Sequence, residues 1–260
     1  MSVMLQPRVK GERPALAALK AELRRLEGAG RREGAARPIG VAALDEALPG
    51  GGLARGALHE IMAADGADAA AEGFAASLLS GLTGPVLWCC PGEAASGVLY
   101  GPGLACFGLP PDRLILVRAR RPADLLWAME EGLRTPGLAA VLGAPRHLDL
   151  TASRRLQLAA EGSGVTCLVL RRAESGSSVA VTRWLVAPAP SGAPFGTDTR
   201  DFGLARARWR VELLRCRGAA VEDGRNVWLM EEGDASGAVA VAQPLADRSA
   251  APAPVGRRAG

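Results

Sequence analysis

Lysine and histidine are scarce in this chain of 260 residues. The lysines are Lys10 and Lys20 alone, and the histidines are His59 and His147. So few of these side chains leave little material for general acid–base chemistry. The sequence also has no lysine beyond position 20, although a lysine that neutralises phosphate charge is a fixed part of the common phosphate-binding loop.

Paired cysteines and long apolar runs are missing as well. None of the five cysteines forms a Cys-x-x-Cys pair, which argues against a zinc site or a disulfide framework and predicts reduced thiols in a cytoplasmic protein. No apolar run reaches the length of a membrane span, and the first residues are polar and basic. We therefore predict no metal, no cofactor, no secretory signal and no membrane partner.

The net charge of +4 is unevenly distributed. Residues 1–40 carry nine Lys or Arg against four acidic residues, whereas the rest of the chain is close to neutral. A basic arm of this kind can contact nucleic acid phosphates or an acidic partner. The alternative is a GC-rich genome that raises the Arg and Ala content, and the small size of the excess favours this second explanation.

Residues 14–28 (PALAALKAELRRLEG) have the spacing of an amphipathic helix. The apolar residues that share one face of this helix are Leu16, Leu19, Leu23 and Leu26. Such a stripe packs on the rest of its own chain or docks on a partner, and the former is commoner. Residues 28–38 are rich in Gly and Arg and are typical of a linker, so residues 1–37 are predicted to be a basic helix and linker.

Residues 38–242 are predicted to form the folded core. Apolar strand candidates alternate with helix candidates of ten or more residues up to position 170, which is typical of a parallel sheet covered on both faces. Two of these helices are predicted at 72–82 and 122–134. Antiparallel strand candidates follow at 178–186, 209–217 and 227–231. We predict an α/β fold with a doubly wound, mostly parallel sheet and a C-terminal antiparallel extension. Residues 243–260 are predicted to be a disordered tail.

The first strand–loop–helix unit of this core is where an α/β protein places a phosphate loop. Here the segment from 62 to 72 has one glycine, no lysine, no hydroxyl and three acids, the last of which is Glu72. The positions that make it a degenerate phosphate loop are Ala63, Gly66, Asp68, Ala69 and Ala70. The apolar strand at 138–142 is followed by Gly143 and Ala144, where a magnesium-binding acid is needed. ATP hydrolysis is therefore disfavoured.

Several segments carry a resemblance to known proteins. Residues 37–62 are similar to the start of the RecA core, and three later segments are similar to the ImuA family, RecA/SulA-like proteins of bacterial damage-induced mutagenesis. The RecA-like pairs and triplets are Leu44-Asp45, Gly51-Gly52-Leu53, Arg55-Gly56 and Glu60-Ile61. The ImuA-like segments are 99–134, 181–192 and 208–218. The resemblance implies a RecA-like fold in which Ala69 and Ala70 stand in place of the phosphate-loop lysine and hydroxyl.

The resemblance also implies a function. It is that of a non-enzymatic adaptor of SOS-induced, error-prone translesion DNA synthesis. The implied partners are an ImuB-like protein related to Y-family polymerases, a C-family error-prone DNA polymerase and RecA itself, with DNA bound indirectly or weakly. Two alternatives remain open: a RecA-like ATPase with an unconventional nucleotide site, and a SulA-like inhibitor of cell division.

An arginine-rich segment near the C-terminal end is a candidate contact for nucleic acid or a partner. Its residues are Arg206, Arg208, Trp209, Arg210, Arg215 and Arg217. Strand alternation places Arg208 and Arg210 on one face and Trp209 on the other. Arginine beside an aromatic ring suits phosphate contacts and base stacking, whereas outward charges on an edge strand also prevent aggregation. The sequence favours neither explanation over the other.

Aromatic residues and one histidine complete the predictions. Trp88, Trp127 and Trp184 lie within apolar patterns and are predicted to be in the core. His59 lies within an apolar strand candidate, and no Ser, Cys or Asp has a spacing that suggests a catalytic pair with it. His59 is therefore predicted to be a hydrogen-bonded structural residue.

Overall fold

A computed structural model describes residues 36–64, 66–92, 99–172, 176–190, 206–221, 226–232 and 239–241. The strands of these ranges are β1 (Leu58–Ala63), β2 (Val86–Pro91), β3 (Leu114–Ala119), β4 (Ala140–Gly143), β5 (Thr166–Arg172), β6 (Thr182–Ala189), β7 (Arg208–Cys216), β8 (Val227–Glu232) and β9 (Val239–Val241). The α-helices are α1 (Ala42–Ala47), α2 (Asp68–Ser80), α3 (Gly101–Cys106), α4 (Pro122–Arg134) and α5 (Leu150–Ser163). The predicted N-terminal helix, with Leu16, Leu19, Leu23 and Leu26, and the predicted tail lie outside these ranges.

The strands form one sheet in the order β3-β2-β4-β5-β1-β6-β7-β8-β9. All pairs from β3 to β6 are parallel, and β7, β8 and β9 add antiparallel. This arrangement confirms the predicted α/β fold with a mostly parallel sheet and an antiparallel extension. One detail of the prediction is wrong, because β6 pairs parallel with β1 and the antiparallel part begins only at β7. Only nine residues separate β5 from β6, fewer than the usual helical crossover needs, so the sequence gives no sign of the parallel arrangement.

Both faces of the central strands are buried, which explains their continuous apolar character. On one face α2 packs against a core that contains Phe74 and Trp184. On the other face α4 and α5 cover a second core that contains Leu58 and Met129. All six residues of β1 are buried between these layers. The strand β1 is therefore covered on both faces, and it leads directly to the candidate phosphate loop.

Helix boundaries follow local sequence signals. The α5 helix begins where the Asp149 carboxylate accepts a hydrogen bond from the Ala152 N–H at 2.7 Å, and it ends at Gly164 with a φ of +79°. The α4 helix has Pro122 in its first turn, where a missing N–H costs nothing. Within the described ranges, no helix has the length and apolar character that a bilayer crossing requires.

Two of the three predicted core tryptophans are buried, and Trp127 is not. Trp88 and Trp184 lie in the first core, but the Trp127 side chain is 63% exposed on α4. Leu125 and Met129 point toward the sheet, and a residue two positions from either lies on the opposite side of a helix. The apolar pattern of α4 therefore contains one residue that faces solvent.

His59 is the structural residue that the sequence predicts. It is completely buried, its Nε2 donates to the Ala54 carbonyl at 2.8 Å, and its Nδ1 lies 2.8 Å from the Thr182 hydroxyl. The same hydroxyl accepts a hydrogen bond from the Trp184 indole at 2.8 Å. These contacts join β1 to β6 from within the sheet.

Candidate functional site

The connection from β1 to α2 is a tight turn rather than a phosphate loop. The Ala64 N–H donates to the Val186 carbonyl at 2.9 Å, and the Ala67 N–H donates to the Ala64 carbonyl at 2.8 Å. Gly66 has a φ of +68° and forms the bend. The N–H groups of Ala64 and Ala67 are therefore already hydrogen-bonded within the chain, whereas a phosphate loop directs its backbone N–H groups at the phosphate.

Carboxylates occupy the N-terminal end of α2, where a bound anion would need positive potential. The helix begins at Asp68, and Glu72 follows one turn later, largely shielded from solvent. Burial raises the pKa of Glu72 above its ordinary value, and the nearby Asp68 carboxylate raises that pKa further. The predicted site residues Ala63, Gly66, Asp68, Ala69 and Ala70 do lie at one edge of the sheet, from the end of β1 to the first turn of α2. The carboxylates at this position would repel a triphosphate, and these five residues include no cation.

We expect Glu72→Gln to raise the melting temperature at neutral pH. A carboxyl group with a raised pKa binds its proton more readily in the folded chain, so its ionised form costs stability once the pH exceeds that pKa. The gain should shrink as the pH falls through the range in which Glu72 takes up its proton. Thermal unfolding of both proteins between pH 4 and pH 8 measures this, and a constant difference across that range would contradict it.

The second half of a nucleotide site is filled by a side chain. Gly143 ends β4, and a Cβ built there would lie 2.2 Å from the Met129 Sδ. Met129 is completely buried on α4. An acidic residue that could hold magnesium at this position would therefore have room only if the Met129 side chain or α4 moved.

The buried and partly buried cysteine thiols are poor nucleophiles or metal ligands. Burial raises the pKa of Cys89 to about 12 and that of Cys216 to about 11. Cys90, beside the Glu72 carboxylate, also has a raised pKa, chiefly because of burial. In the described part of the chain, no group of three or more His, Cys, Asp or Glu side chains could hold a metal ion.

The arginine-rich strand β7 has the alternation that its sequence indicates. Trp209 is buried, with its ring centroid 5.2 Å from that of Phe107, so it is not available to stack on a base. On the other face Arg208 forms an ion pair with Glu231, and the Arg210 Nη1 lies 2.9 Å from the Glu212 carboxylate. Contact of this strand with nucleic acid would therefore rest on arginines that already have acidic neighbours, and it stays a prediction.

Two arginines at the end of the same segment donate hydrogen bonds to backbone carbonyls between β5 and β6. The Arg215 guanidinium donates to the Ser178 carbonyl at 2.9 Å, and that of Arg217 donates to the Val179 carbonyl at 2.6 Å. Arg206, just before the strand, is exposed. Four of the six predicted residues lie on β7, and Arg206 and Arg217 flank it. Their contacts differ, and two of the six, Arg215 and Arg217, position the backbone of residues 178–179.

A buried ion network lies at the centre of the sheet. The Glu60 carboxylate on β1 accepts from the Arg171 Nη1 of β5 at 2.6 Å and from the Arg183 Nε of β6 at 2.8 Å. The Glu60 side chain has no exposure, and those of Arg171 and Arg183 are 6% and 19% exposed. Arg171 also donates to the Leu148 carbonyl, and Arg183 donates to the Gly176 carbonyl. The network therefore joins β1, β5 and β6 to one another and to the backbone at Leu148 and Gly176.

Relatives identify the family once this geometry is known. Two curated proteins named Protein ImuA, from two strains of Caulobacter vibrioides, are 40% identical to this chain over 240 residues. Each match covers 85% of this chain and 95% of the relative. The chain belongs to the ImuA family. No family model matches the sequence.

The ImuA-family chain shares its fold with a recombinase of known structure. The crystal structure of the RadB recombinase superimposes with a TM-score of 0.56 at 13% sequence identity, covering 80% of this chain and 100% of that chain. This likeness, at such low identity, shows a common RecA-like fold. It confirms the fold class that the sequence predicts.

The buried network is the part of this region that sequence reasoning missed. The sequence pattern marks Glu60 only as half of a Glu-Ile pair, and it does not mark Arg171 or Arg183. The signal was present, because each is a charged residue within an apolar strand of the ImuA-family chain, and a buried charge needs a partner. Pairing them required the strand order, which places β5 and β6 on either side of β1.

Proposed function

We propose that this ImuA-family chain is a cytoplasmic, non-enzymatic accessory protein of SOS-induced, error-prone translesion DNA synthesis. It acts with an ImuB-like protein related to Y-family polymerases and with a C-family error-prone polymerase, and RecA is a further partner. DNA is bound indirectly or weakly. Support comes from the family assignment, since the match to Protein ImuA extends over nearly the whole relative.

One observation carries the non-enzymatic part of this proposal. Both halves of a RecA-type nucleotide site have been replaced, because carboxylates occupy the start of α2 and Met129 fills the space beside Gly143. A triphosphate would meet repulsion at the first and find no magnesium ligand at the second. The nucleotide-transfer chemistry is therefore assigned to the partner polymerase, and this chain contributes surfaces.

Co-purification with the partners tests the proposal directly. We expect the tagged chain to retain the ImuB-like protein and the error-prone polymerase when all three are co-expressed. Retention of the bacterial division tubulin homologue instead would favour the SulA-like alternative. An increase in melting temperature with about 1 mM Mg-ATP would favour the ATPase alternative, because a ligand that binds only the folded state stabilises it. Either result would contradict the proposal.

Weak DNA binding is a separate expectation. We expect single-stranded DNA to bind only at low salt, and Arg210→Gln to weaken that binding by about twofold, since one cation among several is lost. Arg154→Gln, which removes an exposed arginine on α5, is the matched control and should have the same small effect. Fluorescence anisotropy at several salt concentrations measures both. A much larger loss with Arg210→Gln would make β7 a direct DNA contact.

A further inference from the structure

Two large apolar side chains are exposed on the outer surface of the helices α4 and α5. Trp127 on α4 is 63% exposed, and Leu158 on α5 is 67% exposed. Leu156 and Ala160 are buried toward the sheet, so Leu158, two positions from each, lies on the far side of α5. Tryptophan is highly buried on average, and an exposed tryptophan is typical of an interface with another protein.

The two side chains belong to one continuous surface. Because α4 and α5 each connect neighbouring parallel strands, they run in the same direction, and they pack side by side. An ion pair between Glu130 of α4 and Arg155 of α5 sets their relative height. Trp127 lies three residues before Glu130 and Leu158 three residues after Arg155, so they are about 9 Å apart along the helix axes. They therefore flank this ion pair on the outer side of the two helices.

The surface is held in place from beneath. The Glu130 side chain is 8% exposed, and it pairs both with Arg134 of its own helix and with Arg155 of α5. A carboxylate shared between two helices in this way keeps them at a fixed separation. A partner would therefore meet a preformed surface, which lowers the free-energy cost of binding.

One charged side chain of these helices has no partner among the described residues. The acidic side chains of α4 and α5 all have described donors, and they are Asp124, Glu130, Glu131 and Glu161. Arg154 is exposed and forms no hydrogen bond or ion pair with the part of the chain that the structure describes. It lies one turn before Leu158 on the same face of α5. The surface therefore complements a carboxylate and disfavours a further cation.

We propose that the surface formed by Trp127, Arg154 and Leu158 is the docking site for one amphipathic helix of a partner protein. The helix has two apolar residues seven positions apart, about 10 Å, which cover Trp127 and Leu158. An acidic residue three positions after the first lies on the same face and pairs with Arg154. The inference rests on the function proposed above, in which this chain contributes surfaces to an assembly of proteins.

Charge separates this occupant from two others. Residues 14–28 have a leucine stripe of similar spacing, but they carry three basic residues against two acidic ones. A second copy of the same surface would bring a second Arg154 and only carboxylates that already have donors. An acidic partner helix fits the surface better than either, because it alone supplies the missing counter-charge.

Co-purification of variants tests the inference. The tagged full chain is co-expressed with the ImuB-like protein, the error-prone polymerase and RecA. We expect Trp127→Ser and Arg154→Glu to reduce retention of one and the same protein by about tenfold or more, since an exposed tryptophan and its charged neighbour are typical binding hot spots. Arg154→Lys keeps the charge and should retain at least about half of that protein.

Two matched controls remove similar side chains from other surfaces. Tyr100→Ser removes an aromatic side chain that is 71% exposed on another part of the chain, and Arg55→Glu reverses an exposed charge outside the two helices. Both should retain all partners. Every variant should unfold within about 2 °C of the wild-type melting temperature, because substitutions of exposed side chains have small effects on stability.

Four outcomes would overturn the inference. If the wild-type chain, Trp127→Ser and Arg154→Glu retain every partner equally, the inference fails and the proposed function stands. If the wild-type chain retains no partner, both fail. A fall in melting temperature of about 5 °C or more with Trp127→Ser, reproduced by Leu23→Glu, would assign the surface to residues 14–28. A wild-type chain with twice its mass in light scattering that becomes a monomer with Trp127→Ser would assign it to a second copy.

Discussion

Replacing Glu60 by glutamine should lower the free energy of unfolding by about 3 kcal/mol, because two buried guanidinium groups lose their counter-charge. The change keeps the shape of the side chain, so no cavity forms. Arg171 is almost wholly buried and Arg183 is mostly buried, so solvent can replace little of the lost carboxylate. The amide NH₂ of glutamine would, in addition, face one of these donors with another donor.

A surface ion pair provides the matched control. Glu131 on α4 pairs with Arg134 at 2.9 Å, and both side chains are about half exposed. Glu131→Gln should cost less than about 0.5 kcal/mol, because solvent screens such pairs. Urea unfolding, followed by tryptophan fluorescence, measures both variants. Equal costs for Glu60→Gln and Glu131→Gln would show that the buried network adds no stability.

The same variant should loosen one loop before the whole chain unfolds. Arg183 binds both the Glu60 carboxylate and the Gly176 carbonyl, and it also donates to the Ser178 hydroxyl at 3.2 Å. In the glutamine variant the Arg183 guanidinium loses its ion pair and keeps its hydrogen bonds to the Gly176 carbonyl and the Ser178 hydroxyl. Amide hydrogen exchange in residues 176–181 should therefore accelerate more than exchange in β5, which retains its ladder to β4.

Secondary structure was predictable where local signals agree. The α4 helix spans Pro122–Arg134 as its sequence predicts, because a proline in the first turn and apolar spacing point to the same limits. The α2 helix begins at Asp68, four residues before its predicted start at Glu72. The prediction reserved those residues for a loop, but they are Asp-Ala-Ala-Ala, and alanine strongly favours helix. Part of the segment that stands where a phosphate loop is expected is thus the first turn of α2.

The site was predictable only in what it lacks. The absence of a lysine and of an acid after β4 is a statement about composition, and the sequence gives it directly. What replaced them depends on contacts between distant residues. Met129 occupies the space beside Gly143 from a helix that precedes β4, and no local pattern reports that contact. Trp127 shows the same limit, since exposure on α4 depends on which side faces the sheet.

Restoring the missing acid should damage the fold rather than create a nucleotide site. We expect Gly143→Asp to cost about 3 kcal/mol or more, because it overpacks the second core and buries a carboxylate without a partner. The new Cβ would lie 2.2 Å from the Met129 Sδ and 2.5 Å from its Cε. Gly143 is buried within β4, between Cys89 of β2 and Val169 of β5, so the strand cannot shift to relieve the clash.

A second substitution separates the clash from the buried charge. Met129→Ala alone should cost about 2–5 kcal/mol through a cavity, yet combined with Gly143→Asp it should cost less than the sum, since one change makes room for the other. Gly162→Asp on α5, where a Cβ meets nothing within 4 Å, should be near neutral and is the control for adding an aspartate. Strict additivity of the two core variants in urea unfolding would mean that Met129 does not fill the position. The double variant should still show no thermal shift with Mg-ATP, because the start of α2 keeps Asp68 and Glu72 where a phosphate site needs a cation.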